Sequence, residues 1–148
     1  MPTDTDADGE AVLVDTSVAI ALIVEDHEIH AASLEVAQGR RLGLSGHAWF
    51  ETYSVLTRLP GAHRRSPADA LRLLGHNFPA SGFLGEHEAL ALGPEIARLG
   101  VSGGAVYDAL VGAAARQHRR RLISADLRAR SVYDALGVEL EVIAVATA

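Results

Sequence analysis

Apolar and polar positions alternate in blocks along the chain, and the blocks predict strands and helices in turn. Residues 11–15 (AVLVD) form a short β-branched run of the kind found in a buried strand. A helix follows with Thr16 or Ser17 as its N-cap, and residues 26–39 continue as a second helix closed by Gly39. Residues 41–46 (RLGLSG) suggest a weaker strand. In residues 47–59 Trp49, Phe50, Tyr53, Leu56 and Leu59 recur at helical spacing, and Pro60-Gly61 ends that helix, which carries Glu51.

Ser66, Pro67 and Asp69 have the order of a helix start: an N-cap hydroxyl, a proline at the first helical position and an acid three residues after the cap. Residues 81–85 (SGFLG) suggest a short strand, and 86–100 read helical with a break between two helices at Gly93-Pro94. After a glycine loop, residues 105–118 read as a helix with Asp108 near its start. Residues 121–124 (RLIS) predict a strand, 126–137 a helix ending at Gly137, and 138–144 (VELEVIA) a closing strand. Strands alternating with helices through short connections predict an α/β sandwich with a mainly parallel sheet.

Length and composition narrow the picture. The chain has 148 residues, which suits one domain over residues 11–148. Its longest apolar run, Val18 to Val24, is far below the roughly 20 residues that span a bilayer. The first ten residues have neither a basic nor an apolar leader region, so the expected compartment is the cytoplasm. With no cysteine, disulfides and thiolate chemistry are excluded; with no lysine, so are a phosphate-loop lysine, a Schiff base and a receiver-type phosphoacceptor site.

The formal charge of −6 is uneven. Asp4, Asp6, Asp8 and Glu10 make residues 1–10 an acidic tail expected to be disordered. Arg116, Arg119, Arg120, Arg121, Arg128 and Arg130 face only Asp126 over residues 116–130, the strongest basic patch in the chain. Arg116, Arg119, Arg120 and Arg121 suit either of two roles: bidentate contacts to RNA phosphates, or cations complementing a helix C-terminus.

In an open parallel sheet, sites form at the carboxyl ends of strands. Asp15 ends the first strand, Asp126 follows the strand at 121–124, and Asp108 and Glu51 lie near helix starts that can face the same edge. Four gathered acids repel one another, and a divalent cation relieves that cost. Oxygen-only ligation suits Mg²⁺ or Mn²⁺ over Zn²⁺, and hydrolysis of a phosphodiester by metal-activated water is the chemistry implied. Each acid alone has an ordinary explanation as a cap or a solvated helix residue.

The surroundings of the acids separate these readings. "LVDTSV" at 13–18, "FETYSVLTRL" at 50–59, "YDALVGAAA" at 107–115 and "LISADLRA" at 122–129, followed by "YDALGVEL", resemble in order and spacing the PIN-domain ribonucleases. The likeness is particularly to the VapC-type toxins of toxin–antitoxin pairs, and it covers residues 11–143. It implies a three-layer α/β/α fold, a Mg²⁺- or Mn²⁺-dependent endoribonuclease acting on RNA, a homodimer, and inhibition by a small cognate antitoxin protein. It makes Asp15 the first metal ligand, Glu51 the second acid, Asp108 the third acid and principal co-ligand, and Asp126 the fourth. Thr16, Ser17 and Ser124 become supporting hydroxyls.

Segment 60–100 has no distinctive motif of the family, so substrate choice is not readable there. His47, four residues before Glu51 on the same helical face, either orients a carboxylate or touches substrate, or is a polar helix start. His27 and His30 lack a third ligand and read as solvated. Of Trp49 and Phe50, one is expected in the core and the other at an interface. A non-catalytic RNA- or partner-binding module of the same fold is the competing reading.

Overall fold

Val12, Leu13 and Val14 are completely buried because β1 (Ala11–Val14) runs through the middle of a four-stranded sheet. The computed structural model describes residues 9–144. Most of the expected acidic tail, and the last four residues of the expected domain, lie outside that range. Gly9 and Glu10 lie inside it, and their carbonyls accept hydrogen bonds from Arg41 Nε and Arg41 N–H at 3.0 and 2.9 Å.

The sheet consists of β2 (Arg41–Leu44), β1, β3 (Leu122–Ser124) and β4 (Leu140–Val142) in that order, with every pairing parallel. Val14 is in register with Leu44 on one side and Ile123 on the other. All four carboxyl ends therefore lie along one edge. The chain leaves β1 towards β2 in one direction and later returns to β3 on β1's other side. The strand order thus reverses between β1 and β3, where a crevice opens at the carboxyl edge.

Among the described residues, seven α-helices complete an α/β/α sandwich: α1 (Thr16–Ile23), α2 (His30–Ala37), α3 (Ala48–Arg58), α4 (Pro67–Asn77), α5 (Glu86–Arg98), α6 (Ala105–Gln117) and α7 (Arg130–Ala135). One group packs α1 on α2 and α3, and α3 on α4; another packs α6 between α5 and α7. The core joins the sheet to the inner faces of these helices through Val18, Leu44, Leu56, Leu74, Ile123 and Tyr133. Among the described residues no helix is long and apolar enough to cross a membrane.

The Ser66 start of α4 forms as the sequence predicts, its hydroxyl accepting from Asp69 N–H at 3.1 Å. Several boundaries differ. The N-cap of α1 is Asp15 rather than Thr16 or Ser17; Asp15 has extended backbone and accepts from Val18 N–H. The second helix starts at His30, not residue 26, because His27 Nδ1 captures the Ile29 N–H and holds 25–29 in turns. The last expected helix, at 126–137, shortens to α7 because Asp126 Oδ1 takes the Arg128 N–H at 3.0 Å.

Gly93-Pro94 does not break α5, which runs unbroken with Pro94 inside it. Proline removes one hydrogen bond to the Leu90 carbonyl, and this helix surface faces solvent, with Leu90 73% exposed. The expected strand at 81–85 is reduced to isolated bridges, Gly43 with Pro79 and Ser45 with Gly82. Pro79 has no N–H to donate, and Leu44 N–H bonds the Ser81 hydroxyl at 2.9 Å instead of a backbone carbonyl.

Candidate active site

Asp15 stands at the reversal point because β1 ends there and α1 begins. Its backbone N–H reaches the Ile123 carbonyl at 3.2 Å, which ties it to β3. Asp15 is 4% exposed, and both of its carboxylate oxygens are engaged. Oδ1 accepts from the Ser17 hydroxyl and from Val18 N–H, the latter at 3.4 Å. Oδ2 accepts from the Ser124 hydroxyl and from Tyr133 Oη, the latter at 3.1 Å. Burial nevertheless dominates these hydrogen bonds and pushes the Asp15 carboxyl above its ordinary value.

The supporting hydroxyls divide their work. Ser17 binds Asp15 and accepts from Ala125 N–H at 3.0 Å, and Ser124 binds Asp15 and accepts from Asp126 N–H at 3.1 Å. The loop after β3 is thereby fastened to Asp15. Thr16 makes a different contact: its Oγ1 donates to the Ala48 carbonyl at 3.4 Å and accepts from Thr52 Oγ1 at 3.2 Å. It anchors α3, the helix that carries Glu51.

Asp108 sits in the first turn of α6, and Ser45 Oγ donates to the Val111 carbonyl at 2.7 Å, locking that helix to the end of β2. Asp15, Glu51, Asp108, Asp126 and Tyr133 all line one cavity of about 210 Å³. Desolvation first, then the charges of Asp126, Glu51 and Asp15, push the Asp108 carboxyl up to about 6, opposed by Arg128. The structure thus brings the four sequence-predicted acids together, and Asp108 feels the other three.

The donor set is all oxygen, which fits a hard divalent cation, and negative charge accumulates where such an ion would be held. Among the described residues no three Asp, Glu or His side chains are already gathered as a ready ligand cage. Magnesium suits such a site because it keeps several waters and takes only one or two carboxylates directly.

Metal-free protein therefore has a defined pH response. The Asp15 and Asp108 carboxyls are both raised when folded, so the folded state holds extra protons, for Asp108 between the ordinary value of 3.8 and about 6 and for Asp15 from 3.8 upward. Stability from these groups falls as pH rises through that window. In melting experiments with chelator, the midpoint should fall across it, and Mg²⁺ or Mn²⁺ should raise the midpoint more near pH 7 than near pH 5. A metal-induced rise no larger near pH 7 would remove these carboxylates from ion binding.

Tyr133 is a site residue that sequence reasoning missed, although it opens the quoted "YDALGVEL". It is buried, and burial with Asp15 and other nearby carboxylates pushes its hydroxyl up, so it stays a proton donor to Asp15. Gly112 on α6 makes room for it: a Cβ there would lie 3.0 Å from Tyr133 Cδ1.

A wider cavity of about 620 Å³ shares Glu51 and Asp108 with the acidic one and adds His47, Phe50, Ser54, Arg58 and Tyr107. His47 caps α3 by position, and its ring stacks on Tyr107 at 5.0 Å and 25°. Arg58 and Tyr107 were also missed. Arg58 carried a signal, since it follows Glu51 by seven residues on one helical face. Trp49 packs against the core while Phe50 is exposed.

The structure does not bring the basic cluster to this site. Arg116, Arg119, Arg120 and Arg121 follow the far end of α6 and precede β3, at the edge opposite the acids. Arg116 pairs with Glu95 at 2.7 Å and also bonds the Leu136 carbonyl, Arg120 bonds the Ala80 carbonyl, and Arg121 pairs with Glu139 at 2.8 Å. Arg119 has a left-handed backbone, φ 52°, in the turn. Of the two roles open to the cluster, these contacts favour a structural one at the helix end over a grip on RNA. His30 is not simply solvated either, its Nδ1 lying 2.6 Å from the Ala21 carbonyl oxygen.

Comparison with known proteins agrees with this fold. A sequence model of the family described as PIN domain matches residues 12–135. Ribonuclease VapC27 of Mycobacterium tuberculosis is 47% identical over 131 residues, spanning 88% of this chain and 96% of that protein. Ribonuclease VapC40 of the same species is 40% identical over 131 residues, spanning 87% and 96%. The fold also matches a chain in the crystal structure of VapBC2 from Rickettsia felis bound to a DNA fragment from their promoter. That match has a TM-score of 0.60 at 12% identity and covers 89% of this chain and 98% of that one.

Proposed function

This chain belongs to the PIN-domain family, and on that premise we propose that it is a Mg²⁺- or Mn²⁺-dependent endoribonuclease, the toxin of a toxin–antitoxin pair. The observation that carries the reading is the convergence of Asp15, Glu51, Asp108 and Asp126 on one cavity at the sheet's reversal point. The curated relatives named above are ribonucleases, which supports RNA as substrate. The solved neighbour is a VapBC2 assembly, which supports a small cognate antitoxin as partner. A homodimer belongs to the same proposal.

In this reading Asp15 and Asp108 hold the ion, and Glu51 and Asp126 complete the site or hold a weaker second one. When bound, the ion would supply a water acidified enough to attack phosphorus and a positive charge against the developing phosphorane. The protein's own part is positional. Ser17, Ser124 and Tyr133 fix the direction of Asp15. Asp108, with its carboxyl raised to about 6 in the absence of a cation, becomes fully ionised when positive charge enters the site.

The test is cleavage of a labelled RNA by purified metal-free protein. Cleavage is expected on adding Mg²⁺ or Mn²⁺ and should cease with excess chelator. Cleavage indifferent to chelator, or RNA binding with no turnover in either metal, would overturn the reading.

A further inference from the structure

The cavity beside the acids has the chemistry of a nucleotide subsite. We propose that Arg58, Tyr107 and His47 bind an unpaired nucleotide next to the scissile phosphate, Arg58 taking a flanking phosphate and Tyr107 stacking on the base; this rests on the ribonuclease reading above.

A polyanion that enters a pocket of four carboxylates needs positive charge nearby; among the described residues no arginine lines the acidic cavity, and Arg128, the cation that acts on Asp108, is paired with Asp126 at 3.9 Å. Arg58 lines the cavity that adjoins it. On α3, His47, Glu51, Ser54 and Arg58 follow at intervals of four, three and four, so they form one polar stripe, while Ala48, Thr52 and Leu56 are buried on the other face. At a rise of about 1.5 Å per residue, Arg58 lies roughly 10 Å along the helix from Glu51. Its charge therefore acts beside the acids without neutralising them.

Arg116 and Arg121 are tied up by Glu95 and Glu139; Arg58 is exposed and enters no ion pair among the described residues. A guanidinium left without a carboxylate beside a cavity is suited to bidentate phosphate binding.

The aromatic part is independent evidence. Tyr107 is 55% exposed although it directly precedes Asp108. Its ring is held by stacking on His47, so a large ring is fixed in solvent at the mouth of the site. Unpaired bases stack on such rings, whereas paired bases are already stacked on their neighbours. The cavity volume of about 620 Å³ falls in the range of small-ligand sites. The substrate class that fits is a single-stranded stretch of RNA.

The experiment measures binding apart from turnover: anisotropy of a fluorescent single-stranded RNA with excess chelator, across a salt series, with cleavage in Mg²⁺ run in parallel. Arg58→Gln should weaken binding about tenfold and reduce the slope of log K against log salt by about 0.7, the value for one phosphate contact on a single strand. Arg58→Lys should keep the slope. Tyr107→Ala should weaken binding about tenfold with the slope unchanged. Both side chains are exposed, and circular dichroism checks that the variants fold.

If wild-type protein cleaves RNA while Arg58→Gln and Tyr107→Ala bind it with wild-type affinity and slope, the subsite is wrong and the nuclease reading stands. Variants that keep RNA binding but lose a protein partner would assign this face to that partner and overturn the proposal. If the wild type neither binds nor cleaves any RNA, the nuclease reading falls and the subsite falls with it.

Discussion

Replacing Asp15 by Asn is expected to lower RNA cleavage by about 10³-fold or more while leaving the metal-free protein at least as stable as the wild type near neutral pH. The two effects have one cause. Asp15 is 4% exposed, and burial raises its carboxyl despite hydrogen bonds from Ser17, Ser124, Tyr133 and Val18. Without an ion, the charged carboxylate is therefore the costly form. Asparagine resembles the neutral form in shape and keeps an acceptor for Ser17 and Val18 N–H.

Its amide nitrogen would face the hydroxyls of Ser124 and Tyr133, which can rotate to accept. Lost with the charge is the attraction for a dication, and metal stabilisation of a phosphoryl transition state is worth several kcal/mol, each 1.36 of which is tenfold in rate. Single-turnover cleavage and a chelator-treated melting curve measure the two sides. An Asn variant that cleaves within tenfold of wild type would refute the role given to Asp15. One that melts well below it would mean that the ionised carboxylate supports the fold, contrary to its raised titration.

Gly43→Ala is expected to be the most damaging single-methyl addition among the described glycines. An ideal Cβ at Gly43 would lie 2.1 Å from the Ala80 carbonyl oxygen and 2.5 Å from Ser81 N. Both are backbone atoms, so no flexible side chain can yield. The 79–82 segment is pinned to β2 by Ala80 N–H to the Leu42 carbonyl at 3.0 Å and Gly82 N–H to the Leu44 carbonyl at 3.1 Å. A methyl group there must push the whole segment off the sheet edge.

The loss should be about 3 kcal/mol or more, a fall in melting temperature of roughly 6–12 °C for a domain of this size. Gly75→Ala is the matched control. Gly75 lies in α4 with nothing within 4 Å of its Cβ position, so alanine there should stabilise by about 0.5–1 kcal/mol. Chemical denaturation of both variants decides it, and a Gly43→Ala loss under about 1 kcal/mol would show that 79–82 is less tightly held than its hydrogen bonds require.

These glycines mark where the sequence stopped being legible. The strand at 41–46 reads as weak, yet Gly43 stands in it where another stretch of backbone passes against it. Gly112 is likewise only one small residue in an alanine-rich helix until Tyr133 is seen beside it. The close approach of two distant segments has no local signature. Pro94 shows the converse: its local rule predicts a break, but the helix surface is open to water and the lost hydrogen bond is inexpensive.

The arginines make the same distinction in electrostatic terms. A run of cations suggests a phosphate grip, but Arg116, Arg120 and Arg121 are occupied by Glu95, the Ala80 carbonyl and Glu139, all distant in sequence. Arg58, isolated in the sequence, is the arginine that lines the cavity beside the acids. Local charge density says where cations are, while availability depends on what folding places next to them.

By itself the sequence determined the α/β alternation, the parallel sheet, the resemblance to the PIN-domain family and the four acids at the ends of their elements. Each of these depends on periodicity, caps and short motifs, which are local. Only the tertiary structure decided that Tyr133 and Ser124 join Ser17 on Asp15, that Thr16 serves α3 instead, and that the basic cluster lies at the edge opposite the site. The reason is that hydrogen-bond partners, desolvation and charge compensation are properties of the three-dimensional neighbourhood. Asp15 and Ser124 are separated by 109 positions in the chain, and only the pairing of β1 with β3 makes them neighbours.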